Sequence, residues 1–230
     1  MPSIWSRITE VLAAIGDSIS EFFQRLTSGL ASPPEESVAF TIGMIALSAK
    51  MAKADGVVSM QEIRAFKDVF HIPPEELANV ARVYNLAKQD VAGYESYARQ
   101  VAKLFWAKHE ILEDVLDGLF HIAKSDGVVH DRELHYLERV AAIFGFDARE
   151  FAGIRARHVH TPADDPYGIL GVSPGAPDRE IKARYRTLVR DNHPDRHIAA
   201  GMPEELVAIA TERLAAINAA YERIARERGL

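Results

Sequence analysis

Apolar side chains recur at steps of three and four along most of this chain, and stretches of strict alternation are hard to find. That spacing predicts an all-α protein. Ile4, Ile8, Val11, Ile15, Ile19, Phe22 and Leu26 form one stripe across residues 3–28, with Arg7, Glu10, Asp17, Glu21 and Arg25 on the other face. This is an amphipathic helix, and Gly29, Ser32, Pro33 and Pro34 break it. Near the other end, Ile181, Tyr185 and Leu188 continue the same rhythm from a start at Pro177 and Asp178, and Pro194 stops it. A last helix follows Pro203 and carries Val207, Leu214, Ile217, Tyr221 and Ile224. Two helices joined so closely pack antiparallel, stripe against stripe, with the joining loop exposed at the tip.

The middle of the chain is duplicated. AKADGVV at 52–58 returns as AKSDGVV at 123–129, an offset of 71 residues (123 − 52). At that offset Met44, Ile45 and Met51 match Val115, Leu116 and Ile122, and Glu62 matches Glu133. Each copy therefore reads as helix, turn, helix, with further helices around 75–106. Gly56 and Gly127 suit the left-handed residue that ends a helix, and Ser59 with Glu62 has the spacing of a capping box. The pattern divides the chain into an N-terminal helix and linker (1–34), a duplicated helical domain (35–158), a polar linker (159–164) and a small helical hairpin (165–230).

The chain's 230 residues and 48% hydrophobic content suffice for such cores. A net charge of −6 argues against general nucleic-acid binding. With no cysteine there is no disulfide, thiolate metal site or Cys nucleophile. No secretory signal is evident, and no apolar run reaches the length of a membrane span. The expected location is cytoplasmic. Trp5, Phe22 and Phe23 would allow residues 3–28 a peripheral contact with the inner membrane, but the polar face lacks basic richness. Docking on the helical domain or self-association fits that stripe better.

Chemistry concentrates in the loop at 192–196, NHPDR. A turn accounts for Pro194, and a helix cap for Asp195, but neither asks for His193. The preceding helix carries Lys182, Arg184, Arg186 and Arg190 with no acid between 182 and 190. Together with Tyr167, Leu170 and Gly171 upstream, Tyr185 and Leu188, and Ile217, Asn218, Ala220 and Tyr221 downstream, this segment resembles the J domain of DnaJ-type co-chaperones. The resemblance implies docking on a DnaK-type ATPase chaperone and stimulation of its ATP hydrolysis. His193, Pro194 and Asp195 would form the trigger, Arg196 would be a further partner-binding residue, and the basic helix would face an acidic patch. Tyr167, Leu170, Ile181, Tyr185, Leu188, Leu214, Ile217 and Tyr221 would form the J-domain core. Thr187, Asp191 and Asn192 depart from the basic and aromatic residues common there, which points to an altered partner fit.

The DGVV repeats resemble the TerB family of tellurite-resistance-associated helical domains, and a TerB domain before a J domain is similar to the layout of the DjlA group of bacterial co-chaperones. A Gly/Phe-rich stretch and a zinc module are both missing, so the resemblance is to a specialised J protein, with the TerB-like part binding a client or regulator. Asp55 with Glu62, and Asp126 with Glu133, faintly resemble a shortened calcium loop. Two carboxylates per repeat fall short of a full ligand set, and capping explains them as well. The other histidines do not converge: His158 and His160 fall in or beside the linker, and His130 and His135 are poorly spaced for ligation. Neither a cofactor nor a catalytic site is expected. The alternative reading is a stress- or metal-responsive sensor or scaffold whose J domain does not stimulate.

Overall fold

The computed structural model describes residues 7, 8, 10, 33–55, 67, 72–89, 93–159, 165–199 and 204–230. Among these residues the fold is all-α, with no strand. The helices are α1 (Pro33–Asp55), α2 (Leu77–Gln89), α3 (Tyr94–Leu104), α4 (His109–Ala123), α5 (Asp131–Phe144) and α6 (Ala148–Val159), followed by α7 (Pro166–Leu170), α8 (Asp178–Asp191), α9 (Pro194–Ala199) and α10 (Glu204–Arg228).

Local chemistry sets several boundaries. Gly127 (φ 98°) and Gly145 (φ 92°) take the left-handed conformation after the Lys124–Asp126 turn and after α5, where a side chain would be strained. At the start of α5 the Glu133 carboxylate accepts the backbone N–H of His130 (2.9 Å), one half of a capping box. Glu133 is therefore buried as a helix cap. Of the other carboxylates considered as metal ligands, Glu62 and the side chains of Asp55 and Asp126 lie outside the described residues. No group of three ligating side chains occurs among the described residues. Asp165 opens α7 by accepting from the Gly168 N–H (2.8 Å), with Pro166 in the first turn.

Two hydrophobic cores form. In the first, α1 packs against α2, α3, α4 and α5, and all three repeat-related pairs, from Met44 with Val115 to Met51 with Ile122, are buried there. Tyr136 of α5 donates its hydroxyl to the Leu47 carbonyl (2.9 Å) across the core. Ile8, from the N-terminal stripe, is fully buried in the same cluster while Glu10 is exposed. The rest of residues 3–28 lie outside the described residues. No described helix is long and apolar enough to cross a membrane.

The second core joins Leu170, Ile181, Leu188, Ile217 and Ile224 with the partly buried Tyr167, Tyr185 and Tyr221. The Tyr185 and Tyr221 rings stack at 3.9 Å, and the Tyr185 hydroxyl donates to Asn218 (3.0 Å). Leu214, expected in this core, is only half-buried and stands outside the cluster. The buried arc of α10 runs through Ile217, Ala220 and Ile224 instead. Ala156 of α6 also belongs to this second core, so the polar segment after α6 does not separate two independent bodies.

The junction between the cores holds a buried charge cluster. Arg213 of α10 is 3% exposed. It pairs with Asp114 (2.5 Å) and Asp117 (3.2 Å), both buried on α4. Arg157 of α6 reaches Glu113 (2.6 Å) and Asp117 (3.2 Å). His158, read from sequence as linker, is the penultimate residue of α6. Its ring stacks on Phe120 and its Nε2 lies 2.7 Å from Asp117. Asp117 needs a donor there, so Nε2 carries the proton and Nδ1 faces the Lys124 ammonium at 3.5 Å. Burial pushes the His158 pKa down against the pull of Asp117. Burial would also raise Asp117, but Arg157, His158 and Arg213 outweigh it and hold that carboxyl well below the usual range. For Asp114 burial wins over Arg213, and its pKa is raised.

Removing one partner of a buried pair costs on the order of 3–5 kcal/mol. Arg213→Ala is expected to lose that much in urea unfolding near neutral pH. A carboxyl whose folded pKa is raised contributes stability that is lost as pH rises through that value. Without Arg213 the Asp114 pKa climbs further, so the loss is expected to grow as pH rises through the parent's raised Asp114 pKa; a loss that shrinks with rising pH would contradict the assignment.

Candidate functional site

The loop singled out by sequence is only two residues long. α8 ends at Asp191 and α9 begins at Pro194, leaving Asn192 and His193 between them. The one-turn helix α9 was not expected; Pro194 suits its first position, where the missing N–H has no partner to lose.

The roles inside the loop differ from the sequence reading. Asn192 is buried, and its carboxamide donates to the Leu188 carbonyl (2.7 Å), closing the end of α8. His193 caps α9, a role the sequence reading offered only to Asp195 as the alternative to docking: its Nδ1 accepts the Asp195 backbone N–H (3.3 Å), which leaves Nε2 to carry the proton. The Asp195 side chain is 81% exposed, with His193 Nδ1 at 3.5 Å as its neighbour. Geometry thus explains His193 and Pro194 locally, and leaves Asp195 displayed without structural need.

α8 presents two charged faces. Lys182, Arg186 and Arg190 repeat at steps of four and share one side. Arg186 and Arg190 are exposed and Lys182 is half-buried. Arg186 Nε donates to the Lys182 carbonyl (3.2 Å), and Arg190 pairs with Asp191 (3.0 Å). Glu180, Arg184, Thr187 and Asp191 turn the other way and border a cleft of about 750 Å³ against α4 and α6, with Glu180 and Arg184 still exposed and Thr187 and Asp191 half-buried. Arg184, grouped by sequence with the docking cations, instead donates to the Leu170 carbonyl (3.1 Å) at the end of α7. Thr187 and Asp191 line the cleft and Asn192 is buried, so the residues that depart from the family pattern lie away from the Lys182–Arg190 face.

Arg196 sits at the seam between the two bodies. It is 3.7 Å from Asp191 and 3.8 Å from Glu110, in the first turn of α4. Arg149 of α6 donates to the Gly171 carbonyl through Nη2 (2.6 Å) and Nε (3.1 Å). Gly153 lets α6 approach α7: a Cβ there would lie 3.4 Å from the Gly168 carbonyl oxygen. Sequence reasoning missed Glu110 and Arg149, because nothing local distinguishes them from solvated helix charges, and Arg213, whose one signal is its place in the run Ile209, Arg213, Ile217.

Residues 41–156 match the family model described as tellurite resistance protein TerB, and residues 165–228 match the DnaJ domain. The chain is 26% identical over 225 residues to a protein named co-chaperone protein DjlA from Photobacterium profundum, covering 86% of this chain and 81% of that one. Proteins of the same name from Coxiella burnetii (26% over 230 residues; 91% and 85% covered) and Vibrio cholerae (26% over 241 residues; 90% and 85% covered) are similar over the same span. No solved structure matches.

Scaffold and displayed residues separate in stability. Asn192→Ala is expected to cost about 1–2 kcal/mol, because it unmakes a buried hydrogen bond. Asp195→Asn is expected to stay within about 0.5 kcal/mol of the parent, as exposed substitutions do. Thermal unfolding of the two variants checks this; a strongly destabilised Asp195→Asn would mean that the loop needs its carboxylate to fold.

Proposed function

The chain belongs to the TerB family and carries a DnaJ domain, and from that premise we propose a co-chaperone that docks on a DnaK-type ATPase and accelerates its ATP hydrolysis. One observation carries the reading. Asp195 is freely displayed beside an exposed His193 ring, next to the face of Lys182, Arg186 and Arg190. A carboxylate that the fold does not use is available to a guanidinium on the partner, in a charge-assisted pair stronger than a neutral hydrogen bond. Pro194 restricts the backbone beside it, so little conformational entropy is lost on docking. The cations on α8 steer an acidic surface into register, an effect on encounter rate that salt weakens. His193 contributes its Nε2–H and holds the loop in shape. The protein itself carries out no reaction; it changes the rate of its partner's.

The TerB domain supplies what is delivered. Its binding function, for a client or a regulator, is inferred from the layout, a TerB domain before a DnaJ domain. An apolar groove of about 170 Å³ bordered by Ile72, Leu77, Val80, Tyr84 and Ile122 offers such a ligand a surface.

Single-turnover ATP hydrolysis by a DnaK-type chaperone tests the reading. The parent protein is expected to stimulate, and His193→Gln and Asp195→Asn to lose the stimulation while staying folded. Arg186→Ala is expected to raise the half-saturating concentration roughly two- to fivefold at low salt, the span of one exposed ion pair, and less at high salt. If neither the parent nor any variant stimulates across several such chaperones, the protein is a sensor or scaffold instead.

A further inference from the structure

The J domain does not hang free of the TerB domain. Arg213, on α10, the second of the hairpin's two long helices, is buried between Asp114 and Asp117 of α4. Arg149 bonds the Gly171 carbonyl, and Ala156 of α6 fills the second core. A guanidinium taken out of water at this junction keeps its charge paired only while the two bodies stay together. The closed arrangement has two effects on α8 and the loop. It places Glu180, Arg184, Thr187 and Asp191 along the cleft. It also brings Glu110 to within 3.8 Å of Arg196, one residue past the displayed Asp195.

We propose that the TerB domain restrains the trigger loop: the Arg213 clamp holds the J domain closed, and Glu110 occupies Arg196 in competition with the acidic surface of the ATPase. The proposal rests on the docking reading given above and adds regulation to it. Docking exchanges one carboxylate for another at Arg196, and an acidic partner also meets the like charge of Glu110, which disfavours approach. Only the fraction of molecules whose loop is released binds at full strength, so apparent affinity falls by that fraction. An event at the TerB domain that loosens α4 from α10 would raise the affinity without touching the loop. The second repeat offers a route for such an event: Lys124, in the turn before Gly127, contacts His158, and His158 contacts Asp117, the partner of Arg213.

The chain contains no cysteine, so spin labels placed at Arg132→Cys on α5 and Glu222→Cys on α10, both exposed, report the distance between the bodies without background. The parent is expected to give one narrow distance, and Arg213→Ala a longer or broader one. In the ATPase assay Arg213→Ala and Glu110→Lys are expected to reach half-maximal stimulation at lower concentration, roughly two- to fivefold for the exposed Glu110 pair, with the maximal rate kept. Glu110→Lys lies on the surface, so its result does not depend on the stability of the clamp. An unchanged distance in Arg213→Ala overturns the clamp, and an unchanged or higher half-saturation in Glu110→Lys overturns the restraint. Should the parent stimulate nothing, the docking reading is what fails, unless the two variants do stimulate, which would make the restraint complete.

Discussion

A guanidinium can leave water only if carboxylates go with it, and the architecture of this protein turns on one such case. Arg213 needs Asp114 and Asp117, and those two residues lie 99 and 96 positions away in the chain, on a helix of the other domain. Ion pairing at such a site adds little net stability compared with an apolar contact, yet it tolerates no other arrangement. The cluster therefore works as a register device. It sets which way α10 faces α4, and through the hairpin packing it sets which side of α8 borders the cleft. Arg157 and His158 share Asp117 with Arg213, and the geometry of this junction follows from how that one carboxylate is divided.

The contribution of the two domains is unequal. The TerB part brings a duplicated helical core in which the repeat-related apolar residues meet one another. The J part is a hairpin whose own core is small, and it borrows Ala156 from α6. Gly153 leaves α6 close to α7, and α10 reaches α4 beside Gly118, where a Cβ would lie 3.2 Å from the Ile209 tip and 2.6 Å from the Met44 tip.

Much of this was legible in the sequence, wherever the signal was local or periodic. The helix, turn and helix of the second repeat, the bounds of α8 and α10, and the left-handed Gly127 followed from spacing and helix-end chemistry, while the turn of the first repeat lies outside the described residues. The one-turn α9 was not legible, because Pro194 both ends one helix and starts another, and sequence supports only the first inference. His158 read as linker because its neighbours are polar, and its partner Asp117 is 41 residues away. Arg213 left one clue: it occupies a step in the run Ile209, Arg213, Ile217, where a solvated charge does not belong. Arg184 was grouped with the docking cations by composition, and helical phase separates it from Lys182, Arg186 and Arg190.

α8 is thus a helix with a public face and a private one. The public face carries Lys182, Arg186 and Arg190 beside the loop; the private face borders the cleft shared with α4 and α6. The central claim is that a partner uses the first and not the second. Hydrogen–deuterium exchange of the full chain, with and without a DnaK-type chaperone in its ATP state, reads this directly. Slower exchange is expected at residues 189–196, with the first turn of α4 and the middle of α6 unchanged or faster. Slower exchange at residues 109–113 and 149–153, with the loop unaffected, would mean that the partner enters the cleft, and the assignment of the two faces would be wrong.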